Sequence, residues 1–141
     1  MRLAVRYFTR SGNTKKLAEA VAGAIGSEAL DVSVPLSEKT DTLFLCCSYY
    51  AFDVDPAVKE FILKNGDKIG KIVCVGTSAM MKSMRRPVAR TARAVNVPVA
   101  KEEFHCRGQF AKVHPGRPNA EDLKKAAAFK SVDIRKQAKT Q

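Results

Sequence analysis

Short apolar runs and longer amphipathic stretches alternate along this chain, and the alternation predicts its architecture. Leu3-Ala4-Val5-Arg6-Tyr7-Phe8 reads as a short apolar strand. Thr14, Leu17, Ala18, Val21 and Ile25 then fall on one helical face, and Gly26 stops the helix. Ala29 to Val34 predicts a second strand, ended by Pro35. Thr42 to Ser48 is almost entirely apolar, the pattern of a strand buried on both faces. Asp55-Pro56 supplies a helix N-cap followed by proline at the first helical position. Val58, Phe61 and Ile62 give that helix its buried side, and Gly66 is expected to end it. Lys71 to Gly76 is the next strand, with Ile72-Val73-Cys74-Val75 as its core. Met84, Val88, Ala92 and Val95 have helical spacing, with Pro87 in the first turn. Val97 to Cys106 predicts a longer strand, and Asn119 caps a last helix through Leu123, Ala126, Ala127 and Ile134.

Strands alternating with helices imply a doubly wound α/β fold, a parallel sheet covered by helices on both faces. Right-handed crossovers leave few topologies, of which the five-stranded order 2-1-3-4-5 is a common one. Pro35 to Asp41 is too short for a full crossover helix, so the helix between strands 2 and 3 is expected to be short or absent. At 141 residues, with neither repeat nor linker, residues 1-141 read as a single domain. The stretch His114-Pro115-Gly116-Arg117-Pro118 reads as a loop.

Composition narrows the setting. Apolar residues make up 45% of the chain, which fits a globular protein. No run of about 18 apolar residues is present to span a membrane. The opening Met1-Arg2-Leu3-Ala4-Val5 turns polar at Arg6 with no signal-type cleavage site, so a cytoplasmic location is expected. Cys46, Cys47, Cys74 and Cys106 lack metal-ligand spacing and read as core thiols, with a redox-sensitive Cys46–Cys47 pair as the other reading. His105 and His114 have no partner at ligand spacing, so no metal is assigned.

In a doubly wound sheet, ligands bind beyond the carboxyl ends of the strands, where the strand order reverses. After the first strand comes Thr9-Arg10-Ser11-Gly12-Asn13-Thr14, leading straight into a helix. The hydroxyls of Thr9, Ser11 and Thr14 can donate hydrogen bonds, and Gly12 lets the backbone come close to a ligand. The amides of a helix start add donors and the positive end of a dipole. The spacing is neither that of a Walker loop nor that of a dinucleotide fingerprint. It suits an isolated phosphate.

This stretch resembles the flavodoxin motif T/S-x-T/S-G-x-T, which encloses the phosphate of flavin mononucleotide (FMN). The resemblance extends along essentially the whole chain. It takes in the strand–helix order, the loop Ser48-Tyr49-Tyr50, and Gly76-Thr77-Ser78 after strand 4. Phe104-His105-Cys106-Arg107-Gly108-Gln109-Phe110 also looks like the F-x-C-x-G-x-F pattern of small flavodoxin-like proteins. The resemblance implies that Thr9, Ser11, Gly12, Asn13 and Thr14 hold the FMN phosphate, with Arg10 at the mouth of the site. It places Ser48, Tyr49, Tyr50 and Ala51 on one side of the flavin ring, and Thr77, Ser78 and Ala79 on the other. Tyr49 or Tyr50 is the candidate for stacking on the ring. The function so implied is electron transfer by a flavoprotein, with an FMN-dependent NAD(P)H reductase, or an oxidoreductase of that kind, as the first alternative. A flavin-free interaction module on the same scaffold is the second.

Two other tenants of such scaffolds lack their chemistry here. A low-mass phosphatase needs a cysteine nucleophile in the first loop, and a receiver domain needs an aspartate after strand 3. Thr9–Thr14 holds no cysteine, and Ser48 stands in the second place.

Charge is where the chain departs from typical flavodoxins, which are acidic: its formal net charge is +11. Lys82, Arg85, Arg86, Arg90 and Arg93 follow the fourth strand with no acid among them. A basic face there reads either as a solvated surface or as a docking site for a redox partner protein of acidic character. Aromatic residues are not interleaved with these cations, which argues against nucleic acid.

Overall fold

A computed structural model describes residues 2–9, 12–48, 53–78, 85–107 and 118–128, with backbone alone at 48, 77–78 and 105–107. Five strands form one all-parallel sheet: β1 (Leu3–Tyr7), β2 (Ala29–Asp31), β3 (Thr42–Ser48), β4 (Ile72–Ser78) and β5 (Val99–Arg107). Their order is β2-β1-β3-β4-β5, as the sequence predicts. Three helices cover the sheet, α1 (Asn13–Ile25), α2 (Pro56–Asn65) and α3 (Arg85–Arg93), and residues 120–128 are also helical.

The two-sided burial of β3 and β4 explains their unbroken apolar sequences. Leu43, Leu45, Cys47, Ile72 and Cys74 face one layer, where Val58, Phe61 and Ile62 of α2 and Val88 and Ala92 of α3 pack. Phe44, Cys46, Val73 and Val75 face the other, against Leu17, Ala18, Val21 and Ala22 of α1 and Ala126. Leu17, Val21, Phe44, Ile62 and Ile72 are wholly buried, each side chain contributing about 1.5–3 kcal/mol of transfer free energy. Asp55 caps α2 by accepting the Ala57 N–H at 2.9 Å, with Pro56 behind it. Asn119 caps the 120–128 helix in a reciprocal pair, its side chain taking the Asp122 N–H while Asp122 takes its own N–H.

Several boundaries differ from the sequence expectation: β1 ends at Tyr7 rather than Phe8, β4 runs on to Ser78 rather than Gly76, and β5 starts at Val99 rather than Val97. β2 stops at Asp31 rather than reaching Val34, because Asp31 Oδ1 accepts the Ser33 N–H and its carbonyl accepts that of Val34, closing a turn. Gly66 ends α2 as expected, standing at its C-cap, but without a left-handed turn: its φ is −56° and the chain continues into a 3-10 turn over Gly66–Lys68. Its lack of a side chain serves packing instead: a Cβ there would lie 2.6 Å from Val95 Cγ2 and 2.7 Å from Val95 Cβ. Val95 itself sits in the turn after α3 rather than inside the helix.

No helix joins β2 to β3, and polar staples hold the connecting segment down. Arg6, on β1 and only 7% exposed, donates from Nε to the Val34 carbonyl, from Nη2 to Pro35 and from Nη1 to Val5. Asn65, buried at the end of α2, accepts the Leu36 N–H at 3.0 Å and donates to Phe61 O. Lys68 Nζ reaches the Leu36 carbonyl at 3.0 Å. The staples do not fill the space a crossover helix would cover. A groove of about 660 Å³ remains between this segment and α2, floored by Phe8, Val32, Ala57 and Phe61.

Candidate functional site

Because every strand runs the same way, the residues following β1, β3 and β4 emerge from one edge of the sheet. The register aligns these ends: Tyr7 opposes Cys46, Ser48 opposes Thr77, and Ser78 opposes Arg107. The order reverses at β1, which has β2 on one side and β3 on the other. Thr9 therefore stands just past the switch point, and the ladder secures its approach, with Phe8 N–H donating to Cys46 O and Val32 N–H to Tyr7 O. Ser48, Thr77 and Ser78 are the last residues of their strands or next to last, at the same edge. Arg10, Ser11, Tyr49, Tyr50, Ala51 and Ala79 lie outside the described residues.

The described part of the first loop has the form of an anion cradle. Gly12 is the N-cap of α1 at φ 88°, ψ −9°, a left-handed conformation that side chains with a Cβ resist. Nothing lies within 4 Å of where its Cβ would be, so the cap faces open space. Thr9 Oγ1 accepts the Gly12 N–H at 2.9 Å, which ties the end of β1 to the start of α1 and leaves the hydroxyl proton able to donate to another group. Helix geometry leaves the first N–H groups of α1 without acceptors inside the helix, at the positive end of its dipole. No acidic residue occupies that first turn to repel an anion. Asn13 is half-buried at the helix start, and Thr14 is fully buried beneath it, on the side of α1 that meets the sheet. Thr9, Gly12, Asn13 and Thr14 thus lie together between the end of β1 and the start of α1, where the donors of Thr9 and the helix start suit a phosphate.

The 660 Å³ groove lies to one side of this cradle, sharing only the β1 end through Phe8. Sequence reasoning did not assign it. Its signal was the short Pro35–Asp41 connection, which left part of the sheet without a covering helix. A smaller cleft of about 290 Å³ separates α2 from α3, lined by Asp53, Lys59, Pro87, Arg90 and Thr91. The Lys59 ammonium, hydrogen-bonded to Asp53, holds that carboxyl below the usual carboxylate range.

Three of the strand cysteines are shut away in the core. Cys46, Cys47 and Cys74 are free thiols with no exposed surface. Burial pushes all three pKa values up, that of Cys74 to about 12 with a further push from Glu103. The pair Cys46–Cys47 also points to opposite sheet faces, one in each core layer. Thiolate is the reactive form, so these three are expected to resist a thiol-disulfide reagent at pH 8 in the native protein and to react promptly in denaturant. Peptide mapping of labelled samples checks this; native labelling of Cys46 or Cys47 would restore the redox-pair reading.

Among the described residues, no helix is long and apolar enough to cross a membrane, and no group of three or more His, Cys, Asp or Glu is placed to hold a metal ion. No protein-family model and no curated protein matches the sequence. Solved structures do match. A flavodoxin from the domain Archaea superposes with a TM-score of 0.74 at 17% identity, over 99% of both chains. Oxidised Flavodoxin 2 from Bacillus cereus gives 0.67 at 13% identity, over 96% of this chain and 99% of that one. Two-electron reduced Megasphaera elsdenii flavodoxin gives 0.58 at 16% identity, over 89% and 98%. With its strand order and its likeness to these structures along nearly the whole length, the chain is flavodoxin-like in fold.

Proposed function

We propose that this protein binds FMN at the carboxyl edge of its sheet and passes electrons to a partner protein. The observation that carries this reading is the Thr9–Gly12 turn, a left-handed helix cap open to solvent at the switch point of a flavodoxin-like sheet. Thr9 and Gly12 shape the cradle, Asn13 and Thr14 begin the helix behind it, and Arg10 and Ser11 complete the motif in sequence. Ser48 and Thr77-Ser78 end the strands that would flank the flavin ring, with Tyr49 and Tyr50 next in the chain. Bound there, FMN would supply one- and two-electron redox chemistry, while the protein anchors, orients and shields it. Similar folds have been solved as both oxidised and two-electron reduced flavodoxins, which supports a redox role.

Titration of the flavin-free protein with FMN tests this directly. Stoichiometric binding is expected, with riboflavin, which lacks the phosphate, at least about tenfold weaker because it forfeits charge-assisted hydrogen bonds. Equal affinity for the two flavins, or none for either, would refute the phosphate anchor. Rapid bleaching of the bound flavin by NAD(P)H alone would replace the carrier reading with a reductase.

A further inference from the structure

The helices that cover the sheet carry charge differently. On the α1 side, lysines are mixed with acids: Lys15 and Lys16 with Glu19, and Lys125 paired with Glu121. On the other side, α2 also pairs its lysines with acids, Lys59 with Asp53 and Lys64 with Glu60, whereas α3 carries Arg85, Arg86, Arg90 and Arg93 and no acid. The helix α3 sorts this charge. Pro87, Val88 and Ala92 are buried, while Arg86, Arg90 and Arg93 are exposed and fall within one narrow stripe, about 10 Å long at 1.5 Å per residue. Arg85 does not join them, because its guanidinium donates to the carbonyls of Val99 and Ala100 on β5.

A second feature borders the stripe. Lys59 shares a cleft with Arg90, and Gly66 touches Val95, so this side of α2 turns toward α3. Leu63 lies one helical turn from Lys59 on that side and is 50% exposed. Only Leu63 and Val34 stand out as exposed large apolar side chains among the described residues. An apolar contact beside a row of arginines is the composition of an interface centre with a charged surround, with arginine enriched as in protein–protein contacts. Among the described residues no aromatic platform accompanies it, as a single-stranded nucleic acid would use.

From this geometry we infer that Arg86, Arg90, Arg93 and Leu63 form a docking surface for an acidic electron-transfer protein. The inference deepens the proposed function, on which it rests for the redox character of the partner. α3 begins seven residues beyond the end of β4, so the Arg86 end of the stripe is the end nearer the edge where the cofactor is proposed. A partner held there would be close to the site of electron exit. Complementary charge would speed encounter and weaken with salt.

The test uses an acidic [2Fe–2S] ferredoxin as probe and the full chain with whatever flavin it carries. Binding is expected at low ionic strength and is expected to fade as salt rises. The triple variant R86E/R90E/R93E should lose at least about tenfold in affinity. The triple K39E/K124E/K125E, with the same change in net charge on other surfaces, should lose less than about threefold. L63S should weaken binding by a factor that does not depend on salt. Equal losses in the two triples would reduce the effect to net charge and overturn the surface. So would absence of binding by the wild-type chain, or an oligonucleotide that binds tighter than the ferredoxin and is released by the α3 triple. Thermal melting confirms that the variants remain folded. FMN titration of the same samples is read separately: a chain that binds ferredoxin without taking up FMN would keep the surface and refute the flavin function.

Discussion

Gly12→Val is expected to lower FMN affinity by about two orders of magnitude. The left-handed conformation at Gly12 costs a residue with a Cβ about 1–2 kcal/mol, and a β-branched side chain is a true outlier there. A valine side chain would also enter the open space in front of the α1 cap, where the phosphate is proposed to sit. A hundredfold loss corresponds to about 2.7 kcal/mol, within reach of strain and obstruction acting together. Gly12→Ala keeps most of the strain with less obstruction and should fall between the two. Flavin fluorescence titrations of the three proteins provide the comparison, and urea unfolding without flavin separates backbone strain from lost binding. Full FMN affinity in Gly12→Val would place the phosphate somewhere other than this turn.

Arg6→Ala is expected to destabilise the fold by about 2–4 kcal/mol, the largest stability effect foreseen for a polar side chain outside the site. Three carbonyls lose a charged donor at once, and hydrogen bonds to charged groups contribute about 1.5–3 kcal/mol each before water replaces some of them. Val34 and Pro35 are exposed, so their carbonyls can turn to solvent, which keeps the total below a simple sum. Desolvation lowers the Arg6 pKa, an effect partly opposed by Glu28, yet an arginine remains charged at any pH used in unfolding work. Arg6→Lys should recover only part of the loss, because one ammonium cannot span the three acceptors that the planar guanidinium reaches. Hydrogen exchange adds a local reading. The Leu36 amide, bonded to Asn65, should lose protection in Arg6→Ala well beyond amides at the centre of β3. A variant as stable as the parent would mean that Asn65 and Lys68 hold the segment by themselves.

These two residues also mark how differently the parts of the molecule could be read from sequence. Gly12 was legible because a hydroxyl-and-glycine turn between an apolar strand and an amphipathic helix marks a helix start, and neighbours in the chain suffice to define it. Arg6 was not, since a single cation in an apolar run reads as an exposed strand position. Only the tertiary structure shows it folded under a segment some thirty residues away.

The same division holds for the rest of the chain. Periodicity and local capping depend on near neighbours, so the succession of strands and helices, the Asp55-Pro56 and Asn119 helix starts, the lack of a helix between β2 and β3 and the glycine cap of α1 are all written in the sequence. Strand order followed from the alternation together with the rule of right-handed crossovers. Assembly decided the remainder. It made Gly66, the expected helix stop, also a point of close approach to Val95, and withdrew Arg85 from a row of cations by tying it to β5. Each depends on a residue distant in sequence, and spacing along a chain carries no information about which distant group will arrive.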